Sequence, residues 1–521
     1  MSKTYYVTTP IYYINDAPHI GHSYTTIAAD VLARFFRAAG RDVHFLTGTD
    51  EHGIKIVKAA EEKGMGPREL ADSIAPHFQS LWADLNILYD DFIRTSEPRH
   101  EQRVQAIVKQ LVERDEIYLG SYQGWYDEGQ EEFVTESAAR DNEFKSAING
   151  KPLVRFGEPS YFFRLTKWVP KLLAHIEANP GFIAPSSRRN EVVSKLKLGV
   201  EDLSISRLAE KLGGWGVPMP NDPAHTVYVW VDALSNYITA TGWPSIGDEW
   251  DQKVGDKKFW PADVHLIGKD ILWFHAVYWP CILMALGQPL PKCIFAHGWW
   301  TSEGRKMSKS LGNFISREVI EKLCVEYGRD AYRYFLLREV PFGADGDFSF
   351  ENFKNRYNSE LANGVGNLLS RTTNMISRYF DGVLPAATAG DMERPVMAAA
   401  AELRDLAAGA MEKCDFHQYL EAIFRLVYVT NRYIDDTEPF KLAKDDSQRQ
   451  RLGTILNTCA QAVRVVLEFL EPFMPDLAGR GLGYLGGPAA VQGNLLERTS
   501  WPALAAGTRI TKAEPLMPRK Q

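Results

Sequence analysis

Apolar residues spaced three and four apart run from Ile20 through Tyr24, Ile27 and Val31 to Phe35. That is the period of one helix face, and Gly40 is placed to end it. Ahead of it TYYVTT (4–9), β-branched and aromatic, reads as a strand. VHFLTGTDEHG behind it reads as a second strand closing in a polar turn. The rhythm continues with a helix near 67–88, a strand at 91–94 and a helix near 97–114. Residues 116–222, rich in Tyr, Trp, Gly and acidic side chains, interrupt it. Strand-like runs return at 225–233, 263–270 and 292–298, around an apolar helix at 271–287. From about residue 350 the spacing is helical throughout, with short stops such as Gly382.

Alternating strands and helices predict an α/β fold, a Rossmann-like parallel sheet with right-handed crossovers. The sheet is split by an inserted connective domain and followed by an α-helical bundle. The expected divisions are 1–115 and 223–325 for the two halves of the sheet domain and 116–222 for the insertion. A linking segment at 326–350, a bundle at 351–510 and a loosely held tail at 511–521 complete the chain.

Composition narrows the function classes. The chain has 521 residues, 45% hydrophobic and 24% charged, with a net charge of -7. Bulk charge therefore offers no general attraction to nucleic acid, and any such contact has to use a local basic face. Five cysteines, an odd number without a C-x-x-C pair, read as free thiols in a reducing compartment. The start, MSKTYYVTTP, lacks the basic-then-apolar pattern of a signal peptide. Residues 271–287 are shorter than the about 20 apolar residues of a membrane span and contain His275 and Pro280. A cytoplasmic protein is expected.

An open parallel sheet binds ligands beyond the carboxyl ends of its strands, where strand order reverses. Three segments are candidates: NDAPHIGH after the first strand, WVDALSNY closing the run at 225–233, and GWWTSEGRKMSKSLGN after the last strand. In the first, His19 and His22 share one side of an incoming helix turn, whose free N–H groups favour an anion. The same pair also fits a purely structural part, capping a helix or packing on a core. In the third, Arg305, Lys306 and Lys309 sit in a glycine-flanked, serine-rich loop. Point-charge lysines there suit a polyphosphate, and a merely solvated basic loop fits as well.

P-H-I-G-H near the start together with K-M-S-K-S after a late strand resembles the two signatures of the class I aminoacyl-tRNA synthetases. TTPIYYINDAPHIGHSYTTIAADVLARF, GTDEHGIKI, VYVWVDALSNYI and IGKDILWFHAVYWP resemble the methionyl branch of that family, over nearly the whole chain. The resemblance implies ATP with Mg2+, methionine and tRNA(Met) as partners, and a two-step reaction through methionyl-adenylate. It implies that His19, Gly21 and His22 meet the ATP phosphates and adenine, that Lys306 and Lys309 hold the leaving pyrophosphate, and that Gly268 and Asp270 hold the ribose. Asp50 is expected to pair with the methionine ammonium. Ile11, Tyr13, Trp230, Ala233, Tyr237, Phe274 and His275 are expected to line the methionine slot, where each sulfur–aromatic contact contributes roughly 0.3–1.5 kcal/mol. Without the resemblance, Trp230 and Phe274 read as plain core, and Tyr237 and His275 as ordinary buried polar groups.

Asn367 and Arg371 of NLLSR match the family's anticodon pair, while Phe440 of TEPFKLAK stands where relatives carry a stacking tryptophan. Many relatives hold zinc in the insertion. Here 116–222 contains no cysteine and His175 is isolated, so no metal site and no structural zinc is expected, and Trp125, Tyr126 and Phe133 have to pack the ribbon instead. The short insertion implies no editing domain, and the absent C-terminal module implies a monomer. The alternatives are a related class I synthetase for an aliphatic amino acid or cysteine, a nucleotidyltransferase without tRNA, and a tRNA-binding protein without catalysis.

Overall fold

The computed structural model describes residues 4–14, 17–127, 129, 132–134, 136–254, 258–302, 304–307, 313–388, 390–487 and 491–521. Its centre is a parallel sheet. Strand Thr4–Thr8 lies between Asp42–Asp50 and Val264–Gly268. Asp42–Asp50 carries Tyr12–Tyr13 and Asp91–Arg94 beyond it, and Ile294–His297 and Ile183–Ala184 complete the other side. Alternation divides the first strand between two cores, with Tyr5 and Val7 in one apolar cluster and Tyr6 in the other. Strand order reverses at Thr4–Thr8, which sets the ligand crevice beyond its carboxyl end.

Helix Ile20–Ala38 buries a full face on this sheet, and Gly40 follows its end at a φ of 87°. The first core then runs on without a break into the bundle, built of Asn367–Tyr379, Arg394–Glu412, Phe416–Thr437, Arg449–Leu470 and Pro475–Tyr484. Arg333, fully buried, ties the two parts together. It donates to Asp30 Oδ2 at 2.7 Å, to the Leu85 carbonyl at 3.1 Å and to the Pro472 and Phe473 carbonyls at 2.9 Å. Among the described residues no helix is long and apolar enough to cross a membrane.

Three expectations need correction. The run at 225–233 is not a strand of the parallel sheet. Asp222–Val227 joins a small antiparallel sheet with Ser206–Leu208 and Pro218–Met219, and WVDALSNY lies in a helix, Val229–Thr239. That helix is buried along nearly its whole length, so no amphipathic period marks it. The stretch 116–222 is not one unit apart from the sheet either. Ile117–Asp127, Glu132–Val134, Val154–Phe163 and Leu203–Ser204 form an antiparallel ribbon, whereas Ile183–Ala184 pairs with Ile294–His297 as an edge of the parallel sheet. The tail is docked rather than loose. Ala513, Leu516 and Met517 are buried, and Asn358 makes two hydrogen bonds to the Lys520 backbone, at 2.9 and 2.8 Å.

In the ribbon, Trp125 packs on Phe144 with ring centroids 4.6 Å apart, Tyr126 is buried, and the Phe133 backbone pairs opposite it. The Phe133 side chain lies outside the described residues. Among those residues no group of three or more His, Cys, Asp or Glu side chains could hold a metal ion.

Candidate active site

The two histidines of the PHIGH segment cap the helix they begin. His19 is the N-cap, and its Nδ1 accepts from the Gly21 amide at 3.1 Å. The His22 Nδ1 accepts from the His19 amide at 3.2 Å, a reciprocal capping box made of imidazoles. Capping and function are therefore not alternatives here. Each Nδ1 is occupied as an acceptor, so each ring in its neutral form carries its proton on Nε2 and donates from that atom. Burial, and next to it the neighbouring His19, hold His22 well below the usual histidine range, so it is neutral at pH 7. The rings lie 4.0 Å apart. A Cβ at Gly21 would sit 3.0 Å from His19 Cε1, so glycine leaves that ring room.

The lysine loop leaves from a hairpin beside the last strand. Arg305–Lys306 pairs antiparallel with Trp300–Ser302, which itself pairs with Gly346–Phe348. The side chain of Lys306 and all of Lys309 lie outside the described residues. Where the chain is described again it rests directly on the histidine helix. The Ile20 amide donates to the Ile315 carbonyl at 3.2 Å, His19 bridges to Ser316, and the Phe314 ring is 5.1 Å from that of His19. Segments nearly three hundred residues apart thus meet at the switch point of the sheet.

Tyr13 lies opposite Asp50 in the paired strands, and Asp50 is buried at its strand's carboxyl end. Ile11, Tyr13 and Trp230 are half-buried against the cluster that holds Tyr237 and Phe274. Trp230 and Phe274 stack at 3.8 Å and 7°. Tyr237 and His275 form a defined pair. The His275 Nδ1 lies 2.9 Å from the Ile271 carbonyl and so carries the proton, which leaves Nε2 to accept from the Tyr237 hydroxyl at 2.7 Å. Burial lowers His275 to about 4, against smaller opposing effects of Ile271 and Asp270, and keeps it neutral. Both Phe274 and His275 belong to a wide turn of π-helix, Phe274–Tyr278. Pro280, which lacks an amide proton, follows in the first turn of the next helix. Ala233 is buried on helix Val229–Thr239, one turn before Tyr237.

Of the residues expected at the ribose, Gly268 ends its strand and Asp270 stands exposed just beyond. A Cβ at Gly268 would fall 2.5 Å from Asp270 Oδ1. Trp299, not singled out from the sequence, donates from Nε1 to that oxygen at 3.3 Å. Lys269 pairs with Asp345 at 2.6 Å, and Asp345 also accepts from the Trp299 amide at 2.8 Å. The sequence signal was available, an exposed tryptophan directly after a strand end, but a lone aromatic there has no readable partner.

The anticodon candidates lie elsewhere, on the bundle. Asn367 is exposed, Arg371 pairs with Asp435 at 2.8 Å, and Phe440 is 46% exposed, on the short helix Pro439–Leu442 that follows Asp435.

A model of the family described as tRNA synthetases class I (M) matches residues 5–142 and 141–373. This chain belongs to that family. A methionine–tRNA ligase of Caldanaerobacter subterraneus subsp. tengcongensis is 49% identical over 521 residues, 100% of this chain and 79% of that protein. One from Rickettsia felis is 47% identical over 490 residues, 93% of each. Among solved structures, Mycobacterium tuberculosis methionyl-tRNA synthetase in complex with methionyl-adenylate superposes with a TM-score of 0.91 at 40% identity, covering 99% of this chain and 100% of that one. Its apo form superposes at 0.84. The class I (M) match covers the parallel sheet, and the superposition on the Mycobacterium tuberculosis enzyme extends over the helical C-terminal region as well.

Proposed function

We propose that this chain activates methionine with ATP and transfers it to tRNA(Met). In the first step a methionine carboxylate oxygen attacks the α-phosphorus. The bond from that phosphorus to the bridging oxygen breaks, and pyrophosphate leaves with the electron pair. In the second, the terminal ribose hydroxyl of the tRNA attacks the adenylate carbonyl, and AMP leaves. No protein nucleophile is required; positioning and electrostatic stabilisation suffice.

The observation that carries the reading is the junction of the histidine cap with the segment leaving the lysine loop. In that arrangement the two Nε2–H groups and the helix N-terminus serve the phosphate oxygens as charge builds, and Lys306 with Lys309 takes the pyrophosphate. Mg2+ arrives with the ATP. Asp270, oriented by Gly268 and Trp299, accepts from the ribose hydroxyls. Asp50 pairs with the methionine ammonium, while Ile11, Tyr13, Trp230, Ala233, Phe274 and the Tyr237–His275 pair enclose its side chain. Asn367 and Arg371 on one helix, and Phe440 on the short helix that follows Asp435, supply polar and aromatic groups suited to unstacked anticodon bases.

Amino-acid-dependent ATP–pyrophosphate exchange tests the reading. Exchange with methionine, and not with leucine, isoleucine, valine or cysteine, is expected. Exchange driven by one of those four, or none with any of them, overturns it.

A further inference from the structure

We infer that His52, locked to Asp232, is a positioning residue for Asp50 and hence for the methionine ammonium. The inference rests on the assignment of Asp50 made above. His52 follows Asp50 by two residues, just past the strand end, and is 2% exposed. Its Nδ1 meets Asp232 Oδ2 at 2.7 Å, and its Nε2 lies 3.5 Å from Glu101. The other oxygen of Asp232 meets His100 Nε2 at 2.9 Å, and His100 Nδ1 meets the Thr239 hydroxyl at 2.8 Å. One carboxylate, 1% exposed, therefore joins the Asp50 strand end, helix Pro98–Glu113 and helix Val229–Thr239.

The placement is what gives the cluster a consequence for substrate. Asp232 stands next to Ala233 and two residues after Trp230, on the helix that carries one wall of the slot. The pair thus fixes the distance between that wall and the carboxylate that meets the ammonium. The His52 backbone is held as well, because its carbonyl accepts from the Tyr13 hydroxyl at 3.0 Å. Trp215 closes the outer side, with its ring 5.2 Å from that of His52 and its indole donating to the Glu51 carbonyl at 2.6 Å.

Charge points the same way. Asp50 acts on the imidazole from its own segment, Glu101 from helix Pro98–Glu113 and Asp232 from the slot helix, while His100 holds the far oxygen of Asp232. Glu51 is already matched by Arg94 at 2.6 Å, and the nearby cations Arg68 and Lys55 lie over the rings of Trp215 and Tyr13. A neutral His52 would leave Asp232 buried with no cation but the second histidine. Burial by itself disfavours the imidazolium. Asp232 foremost, with Glu101 and Asp50, outweighs it and raises His52 to about 10. Asp232 is lowered to about 2 against its own burial by the two histidines. A fixed cation beside Asp50 complements that carboxylate, and the link from His52 to Asp232 holds its strand end in place before methionine arrives.

The test is methionine-dependent exchange by full-length Asp232→Asn, His52→Gln and Asp50→Ala between about pH 6 and pH 9. In the parent protein the methionine KM is flat over that range. In Asp232→Asn, His52 returns toward its ordinary range, so the methionine KM climbs roughly tenfold with rising pH while the ATP KM shifts less than about twofold. His52→Gln carries the raised methionine KM at every pH. A methionine KM at the parent value and flat with pH in both variants overturns the inference, as does an equal rise in both KM values. Should Asp232→Asn not fold, His52→Lys decides: it retains the parent methionine KM if a cation is what the site requires, and matches His52→Gln if it is not. Asp50→Ala separates the two levels. A normal methionine KM there removes the Asp50 assignment itself. A loss there beside silent His52 and Asp232 variants removes only the present inference.

Discussion

The proposed methionine slot and the proposed anticodon face are built from the same materials, aromatic rings beside paired polar groups, at opposite degrees of burial. In the slot Tyr237 and Phe274 are 1% and 4% exposed, and each hydrogen bond there has one donor and one acceptor already chosen. On the bundle Phe440 is 46% exposed, and Arg371 pairs with an Asp435 side chain that is 66% exposed. A small ligand has few atoms with which to reorder a site, so the site has to be formed beforehand. A tRNA loop brings large flat bases, and an exposed ring needs only to receive one. Burial also makes the slot unforgiving, because an unpaired group there has no water to turn to. An exposed pair such as Arg371–Asp435 contributes little to stability, about 0–1 kcal/mol.

The comparison breaks most visibly at Asp50. On the proposed assignment, removing the carboxylate leaves the substrate ammonium unpaired in a dry site, a loss of about 3–5 kcal/mol, or on the order of a thousandfold in methionine-dependent exchange. Asp50→Ala is expected to show that loss with an unchanged far-ultraviolet spectrum. Exchange at the parent rate would mean that the ammonium is held elsewhere.

Tyr237→Phe is a subtler probe of the same region. It keeps the ring and deletes the hydroxyl that His275 Nε2 accepts from. The orphaned nitrogen costs about 1–3 kcal/mol, so kcat/KM for methionine falls roughly ten- to hundredfold. An unchanged kcat/KM would show that the pair has no part in holding the substrate.

On the exposed side, Phe440→Ala removes a stacking surface of about 1–3 kcal/mol per base. The expected result is a tRNA KM raised roughly tenfold in aminoacylation, with Phe440→Trp restoring it. An equal rise in the methionine KM would place Phe440 outside base recognition and blur the distinction between the two regions.

How far each region was readable in the sequence follows from the same difference. The histidine pair and the first strand and helix were legible because each is local: a strand of β-formers, then a cap, then a clean three-to-four spacing. The Val229–Thr239 helix was not, since a segment buried on every side shows no polar face to set its period. Nor was the ring of Asp232, His52 and His100 readable, because its members come from three distant segments and share no motif. The division of the insertion failed for a related reason, as the two residues Ile183–Ala184 are too short a strand to stand out, yet they return the chain to the parallel sheet. The docked tail is not visible in the sequence either, because only a few apolar residues, Ala513, Leu516 and Met517, anchor it among Pro and Lys.

The smallest effect is in stability, and it depends on two buried histidines that pull in opposite directions. His275 is lowered in the folded chain to about 4, so its contribution is complete above the ordinary histidine value and is lost as pH falls toward 4. His52 is raised to about 10, so its contribution is complete below the ordinary value and is lost as pH rises toward 10. Between about pH 7 and pH 5.5 the first weakens folding by about 1 kcal/mol while the second strengthens it by nearly as much, so these two offset each other, whereas His22, His265 and His297, also lowered by burial, add to the loss on the acid side. His275→Gln removes only the acid-side loss. Its stability deficit, measured by urea unfolding, is therefore expected to narrow by about 1 kcal/mol from pH 7 to pH 5.5, whereas a Phe440→Ala deficit stays constant. A His275→Gln deficit independent of pH would mean that His275 titrates alike in the folded and unfolded chains, and that the slot is wetter than its burial implies.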